Sequence, residues 1–420
     1  MEQASILHYD LIVAGGGMAG VSAAVAGARE GLRVLLIEKN GCLGGAMSTA
    51  LVFPFMKYWT PVDGEDKLLS AGLFEEMRAR ERAYGFDRGR VKFHPDYFKL
   101  ILDDMVSEAG VDVLFQTQIF EVLHEGRALT GVRATGVAGV QTFTADFFVD
   151  ATGDGNLFAL AGCAHRVGRP ADGLCQPMTT CFRLCGVDLE QFYADKPRLQ
   201  EEYRAARKRG EIKNPRENLL TFRGIGEGVL HFNTTRVAKE DPTDPFAASR
   251  AAIESRRQIH EVITFLKKHT AALDHATLVS IAPEIGVRES RMLDGEYVLT
   301  AEDLLALTMF EDRIALANYD IDIHNPAGTG TDIHYFKEGE YYSIPYRSLL
   351  PREYDNLLVA GRCLSATHEA QAAVRVMPIC ACMGEAAGTA VALAAASGKS
   401  VRTVDVAALQ QRLLQKGAAL

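Results

Sequence analysis

The stretch from Asp10 to Ser48 constrains the fold of this chain more than any other. A short apolar run, Leu11-Ile12-Val13-Ala14, leads into Gly15-Gly16-Gly17-Met18-Ala19-Gly20. Small residues from Val21 to Ala28 carry a helical pattern, and a turn follows at Glu30-Gly31. A second apolar run, Val34 to Ile37, then closes on Glu38 and Lys39. Strand, glycine turn, helix, strand and acid, in that order, is what a dinucleotide-binding βαβ unit requires. Gly15 permits the tight turn, Gly17 lets the backbone approach a pyrophosphate, and Gly20 lets the helix lie close to the sheet. The helix start offers free N–H groups and a partial positive charge to phosphates. Glu38 is placed to accept hydrogen bonds from a ribose 2′-hydroxyl.

A second glycine-rich loop, Asn40 to Ser48, follows the acid directly and carries Gly44, Gly45 and Ser48. Glycines there let the backbone run beside a bulky, extended ligand. His94-Pro95-Asp96 predicts a helix start, and Val111 to Phe115 predicts a strand that leads into Gln116 to Val122. Gly131 to Val149 predicts a β-meander ending in Asp150-Ala151-Thr152-Gly153. The small residues at that end leave room where the chain crosses a dinucleotide.

The character changes from Cys163 to about Thr300. Gln176 to Leu184 and Leu230 to Thr235 predict strands; Gln191 to Arg209 and Ala247 to Lys268 predict helices. Arg288 and Arg291 flank Glu289, which fits a buried salt-bridge network and an anion site equally well. Thr300 with Asp303 forms a helix-capping pair. Asn318 to Arg347 gathers His324, His334, Tyr335 and several aspartates and tyrosines on loop-like sequence. It is the densest collection of proton-transfer groups in the chain, with His324 and His334 as base candidates.

The chain returns through Leu357-Leu358-Val359-Ala360-Gly361-Arg362, then His368, then Arg375-Val376-Met377-Pro378. A small-residue helix closes it, with Gly384 and Gly388 leaving one face nearly bare for close approach. The positive end of that helix, just after Pro378, would point at a ligand.

Composition removes several classes of function. A formal net charge of −9 argues against a nucleic-acid or acidic-membrane partner. No apolar run reaches the roughly 20 residues of a membrane span. Met1 to Ser5 has no basic region and no apolar signal core, so a cytoplasmic location is expected. The eight cysteines form no C-x-x-C pair, and no metal site is expected.

Residues 10–48 and 146–155, the Leu-Leu-Val-Ala-Gly-Arg return, Arg-Val-Met-Pro and Gly-Glu-Ala-Ala-Gly-Thr-Ala together resemble the FAD-dependent oxidoreductases of glutathione-reductase-like fold. That family shares its fold with fumarate reductase and the flavoprotein of heterodisulfide reductase. Gly286-Val287-Arg288-Glu289-Ser290-Arg291 also resembles a signature of one branch.

The resemblance implies an α/β fold: a Rossmann-like FAD-binding domain of glutathione-reductase type from residues 1–160 and 350–420, with a mixed α/β substrate or cap domain at 161–349 inserted. It implies FAD held by Gly15, Gly17, Met18, Ala19, Gly20, Glu38, Lys39, Gly44, Gly45, Ser48, Ile119, Ala151, Thr152, Gly153, Gly361, Arg362, Met377 and Gly384. The aromatic stretch Thr49 to Trp59 is expected beside the flavin ring or in plain core. No second GxGxxG supplies an NAD domain, and Cys42 has no redox partner.

The expected reaction is hydride transfer between a small polar organic substrate and FAD. His324, His334, Tyr335 and Arg375 are the catalytic candidates; Arg288, Arg291 and His368 are the substrate candidates. The alternative is a flavoprotein electron-transfer subunit of a larger complex. A homo-oligomer and an electron acceptor of unknown kind are the expected partners.

Overall fold

The computed structural model describes residues 7–420, so the expectation drawn from Met1 to Ser5 lies outside the described residues. Its centre is a seven-stranded sheet. Leu7–Ala14 lies parallel to Val34–Ile37 on one side and to Gly139–Asp150 on the other. Val34–Ile37 in turn pairs in parallel with Asp112–Leu114. The apolar ends of these strands are buried on both faces, as in a parallel sheet covered by helices.

Gly139–Asp150 is long enough to serve two partners along one edge. Its first half closes the antiparallel meander with Ala128–Gly136, which pairs with Gln118–Glu125. Its last residues, Phe148 to Asp150, take Leu357–Val359 in parallel. The C-terminal return is thereby delivered one strand away from the first, with Gly139–Asp150 between them, more than three hundred residues later in sequence.

The helix Met18–Arg29 is buried from Met18 to Gly27, between this sheet and the long helix Met377–Ser397. The contact between the two helices corrects one expectation. A Cβ on Gly384 would come within 2.0 Å of the Ala19 carbonyl oxygen, and one on Gly388 within 2.1 Å of that of Ala23. The bare face of the C-terminal helix is therefore filled by the glycine-motif helix, and Gly384 is a helix-packing residue. The same helix has the length and apolarity of a membrane span, yet 83 % of its apolar stretch is buried in protein.

A second sheet, antiparallel, is made of Thr221–Arg223, Leu230–Phe232, Phe182–Cys185 and Thr277–Ile281. The helices Leu189–Lys208 and Pro245–His269 contribute Phe192, Tyr203, Ile259 and Val262 to its core, where Phe182 stacks on Phe232. The strand expected from Gln176 is shorter than its apolar pattern suggested. Met178 and Thr179 make isolated bridges instead, and the regular strand begins at Phe182.

The stretch from Asn318 to Arg347, expected as loop-like, carries strands and with Arg313–Ala317 forms two antiparallel pairs. Arg313–Ala317 pairs with Tyr342–Pro345, and Ile321–His324 pairs with Thr331–His334. The Asn, Pro and Gly residues between Asn325 and Gly330 make the turn of the inner hairpin rather than a long loop. Ile314, Leu316, Tyr342 and Ile344 are buried, and all but Leu316 join one apolar cluster with Val21 and Met383. Residues 161–349 are thus not packed as one body: 182–276 has its own core, and 299–349 shares that of the central sheet. Burial of both faces of the Arg313 strand explains the difference, because its outer face meets the C-terminal helix.

Candidate functional site

The first strand stops at Ala14, and Gly15 turns the chain at a φ of 95°, a left-handed value that favours glycine. No side chain caps the helix that begins at Met18. A Cβ on Gly20 would lie 1.7 Å from the Gly15 carbonyl oxygen, so glycine is required there by packing. Gly17 is different. A Cβ on it would meet nothing nearer than the Gly45 Cα at 3.9 Å, which leaves open space in front of the helix start.

Glu38 is buried at the end of its strand. One carboxylate oxygen accepts from the Gly16 N–H at 2.5 Å and the other from the Asn40 N–H at 2.8 Å. Gly15, Glu38, Lys39, Ile119 and Thr152 line one cleft, joined by Asn156. An extended dinucleotide fits this strip: a helix start without a side-chain cap, backbone room at Gly17, and an acid at the strand end.

The remaining members of the expected set divide. Met18 and Ala19 are buried within the helix packing, and Ala151 backs Gly20. Gly44 and Gly45 lie against the motif, the Gly44 N–H donating to the Gly16 carbonyl. Ser48 turns its hydroxyl to the Leu43 carbonyl, which leaves it occupied by protein. Gly153 sits against Arg362, whose guanidinium donates to Asp154 at 2.7 Å and to the Val287 carbonyl at 2.6 Å. Burial alone would raise the Asp154 pKa; the Arg362 charge and the Ser290 hydroxyl outweigh it and hold the carboxyl below its usual range. Gly361 faces Ala19, and Met377 opens the C-terminal helix. In the aromatic stretch Thr49 to Trp59, Phe53, Phe55 and Tyr58 join the main apolar cluster, with Phe55 stacked on Phe93 at 4.1 Å.

A second assembly lies where the inner hairpin meets the second sheet and the helix His368–Val374. His324 is buried, and its Nδ1 accepts from Arg236 Nη2 at 3.1 Å, with Arg216 Nη1 3.5 Å away. Its Nε2 faces Asp322 at 3.4 Å, and its backbone N–H donates to Gln176. Burial first, then the charge of Arg288, holds His324 well below the usual histidine range, so the ring is neutral. This corrects the reason for choosing it as a base, which was a pKa near neutrality.

Asp322 accepts from Tyr319 at 2.9 Å and lies 3.8 Å from Arg375. Burial would raise its pKa, but His324 and Arg375 together depress it well below the carboxylate range. Arg288 donates to the Pro177 carbonyl and to Thr179.

His334 and Tyr335 are not brought to this assembly. In the hairpin register His324 pairs with Thr331 and His334 with Ile321, which separates the two histidines by about 10 Å along the strands. His334 is exposed, and Tyr335 is 69 % exposed.

Arg291 also parts from Arg288. It donates to the Asp154 carbonyl and to Asn156, beside the dinucleotide cleft. His368 is buried with its Nδ1 2.7 Å from Glu289, which also accepts from the Gln176 N–H. Gln176 therefore links this pair to His324.

Sequence reasoning missed Arg216, Arg236, Gln176 and Asn156. Arg216 and Arg236 lie in unpatterned chain, and only their common approach to His324 sets them apart.

The family model for FAD dependent oxidoreductases matches residues 10–413. The chain belongs to that family; it is an FAD-dependent enzyme, and its cofactor is FAD. Among curated relatives it is 26 % identical over 205 residues to digeranylgeranylglycerophospholipid reductase 1 of Methanococcoides burtonii, covering 44 % of this chain and 46 % of the relative. It is 27 % identical over 153 residues to the mitochondrial dihydrolipoyl dehydrogenase of Schizosaccharomyces pombe, covering 35 % and 28 %. The aligned stretches thus span less than half the length of these relatives. A geranylgeranyl bacteriochlorophyll reductase-like structure from Thermoplasma acidophilum aligns with a TM-score of 0.47 at 14 % identity, over 99 % of this chain and 85 % of that one.

Proposed function

We propose that this enzyme transfers a hydride between a small polar organic substrate and FAD, at the junction of the inner hairpin with the second sheet. The observation that carries the reading is the meeting of His324, Asp322, Arg375 and Arg288 with Arg216 and Arg236 from the second unit. Titratable and hydrogen-bonding groups from both units converge there, as at the domain-interface sites where small molecules commonly bind.

On this reading the central sheet with its C-terminal return is a nucleotide domain of glutathione-reductase type, and the second sheet caps it. Gly17, the helix start without a side-chain cap and Glu38 would hold the pyrophosphate and ribose, with Ile119, Thr152 and Asn156 beside the adenosine end. When bound, FAD supplies a two-electron donor or acceptor. The chain's own groups do the rest. Asp322 fixes the His324 ring through Nε2, Arg236 occupies Nδ1, and Arg375 and Arg288 offer cations to the substrate. The electron-transfer-subunit alternative draws no support from the relatives, whose names are those of a reductase and a dehydrogenase.

An anaerobic screen tests the proposal. Purified protein should be yellow, and one class among hydroxy acids, amines, amino acids and sugars should bleach it. Protein that takes up no FAD, or flavin that no small molecule bleaches while a partner protein does, would overturn it.

A further inference from the structure

We infer that the cluster around His324 is an anion site, and that the substrate carries a carboxylate or phosphate group bound by Arg216, Arg236, Arg288 and Arg375. The inference rests on the redox reading of the same interface and names the chemistry of what that interface admits.

The charges in the cluster do not balance. Four guanidinium groups face one another across it. The carboxylates that face them are Asp322, 3.8 Å from Arg375, and Glu217, 3.5 Å from Arg236. His324 is neutral and adds nothing. Arg288 spends its hydrogen bonds on neutral oxygens: the Pro177 carbonyl at 2.6 Å, Thr179 Oγ1 at 2.7 Å and Asn233 Oδ1 at 3.4 Å. Arg216 donates to Asn218 Oδ1 at 2.8 Å. Among the described residues neither of these two arginines has an ion-pair partner, and Arg375 Nε is buried without any partner.

Two interior arginines elsewhere are paired directly: Arg78 meets Glu81, and Arg362 meets Asp154. Arg183, by contrast, is buried with only His231 as its hydrogen-bond partner among the described residues. Four guanidiniums gathered against two carboxylates mark the His324 cluster as a place where counter-charge is left to something outside the chain, because unpaired interior cations are unfavourable. Burial, and then the neighbouring guanidiniums, pull Arg288 down to about 9 and Arg236 to about 10.

The groups are also held ready. Arg236 Nη1 is fixed by the Gly328 and Gly330 carbonyls at 3.1 and 2.9 Å, and Arg288 by Pro177 and Thr179. Arg236 thereby contributes charge, its Nη hydrogens being spent on the Gly328 and Gly330 carbonyls, His324 and Thr331, while Arg375 Nε keeps an N–H for an oxygen of a carboxylate or phosphate at little ordering cost.

Titration calorimetry on the FAD-loaded full chain tests this with malonate, succinate and inorganic phosphate, against malonamide and succinamide as neutral controls. At least one anion should bind and the diamides should not; whether carboxylate or phosphate binds identifies the source. Arg288→Gln and Arg216→Gln should each weaken that binding at least about ten-fold. Arg209→Gln, exposed at the end of its helix, should leave it unchanged.

Arg288→Gln also gives up the hydrogen bonds to the Pro177 carbonyl and Thr179, so its folding is checked by its melting temperature without ligand. If that variant does not fold, Arg216→Lys keeps the charge, loses the fork, and should still bind more weakly. Anions that bind no better than diamides, or arginine variants that bind as wild type, would overturn the inference. Anion binding with no substrate able to bleach the flavin would remove only the redox reading. Flavin bleached by neutral substrates, with anions silent, would remove only this one.

Discussion

The dinucleotide strip and the His324 cluster are built in opposite ways. The strip is mostly backbone: Gly15 turns it, Gly17 opens it, and Glu38 binds the Gly16 and Asn40 N–H groups within a span of 25 residues. The cluster is mostly side chain, contributed by residues 176, 216, 236 and 288 on connecting segments, 322–324 on the inner hairpin and 375 at a helix end. A backbone site is fixed by local chain geometry and tolerates little change at its glycines. A side-chain site is fixed by tertiary packing, and its members can be altered one at a time.

The first consequence is steric. Gly20→Ala and Gly384→Ala each drive a methyl group into a carbonyl oxygen, so each should destabilise the protein by about 3 kcal/mol or more, measured by chemical denaturation. Tolerance of either would break the claim that these glycines are set by helix packing.

Next comes Glu38→Ala. It removes a carboxylate that accepts two backbone N–H groups, so apo stability should fall by about 1–3 kcal/mol and FAD affinity with it. A loss confined to FAD affinity would mean that the acid serves the ribose alone.

In the cluster, Asp322→Asn sharpens the comparison through pH. The folded carboxyl is depressed, so its contribution is present above the unfolded value near about 4 and is lost as pH falls through the lower folded value. Wild type should therefore lose stability more steeply than Asp322→Asn below about pH 4, read from denaturation midpoints across pH. Parallel acid limbs would show that Asp322 is not held by His324 and Arg375.

The smallest stability change belongs to Gly17→Ala. A methyl group there meets open space, so apo stability should stay within about 1 kcal/mol of wild type while FAD affinity drops. Unchanged affinity would place the pyrophosphate elsewhere.

How far each region was legible in sequence follows from the same contrast. Gly15 to Glu38 was readable because turn, helix start and strand end are neighbours in the chain. The capping box at Thr300 and Asp303 formed as expected for the same reason. Gly384 was misassigned because small residues signal close approach without saying to what, and here the approach is to Ala19. His324 and His334 looked like one group because they are ten residues apart, but the hairpin register sends them to opposite ends.

The sequence by itself determined the βαβ unit, its terminal acid and the family, since each depends on the order of residues over short spans. Only the tertiary structure decided that Arg216 and Arg236 join His324, that Arg291 leaves Arg288 for the dinucleotide cleft, and that the 299–349 segment packs with the central sheet. Those choices depend on which distant segments share a core, and charge and burial at a contact exist only once the segments have met.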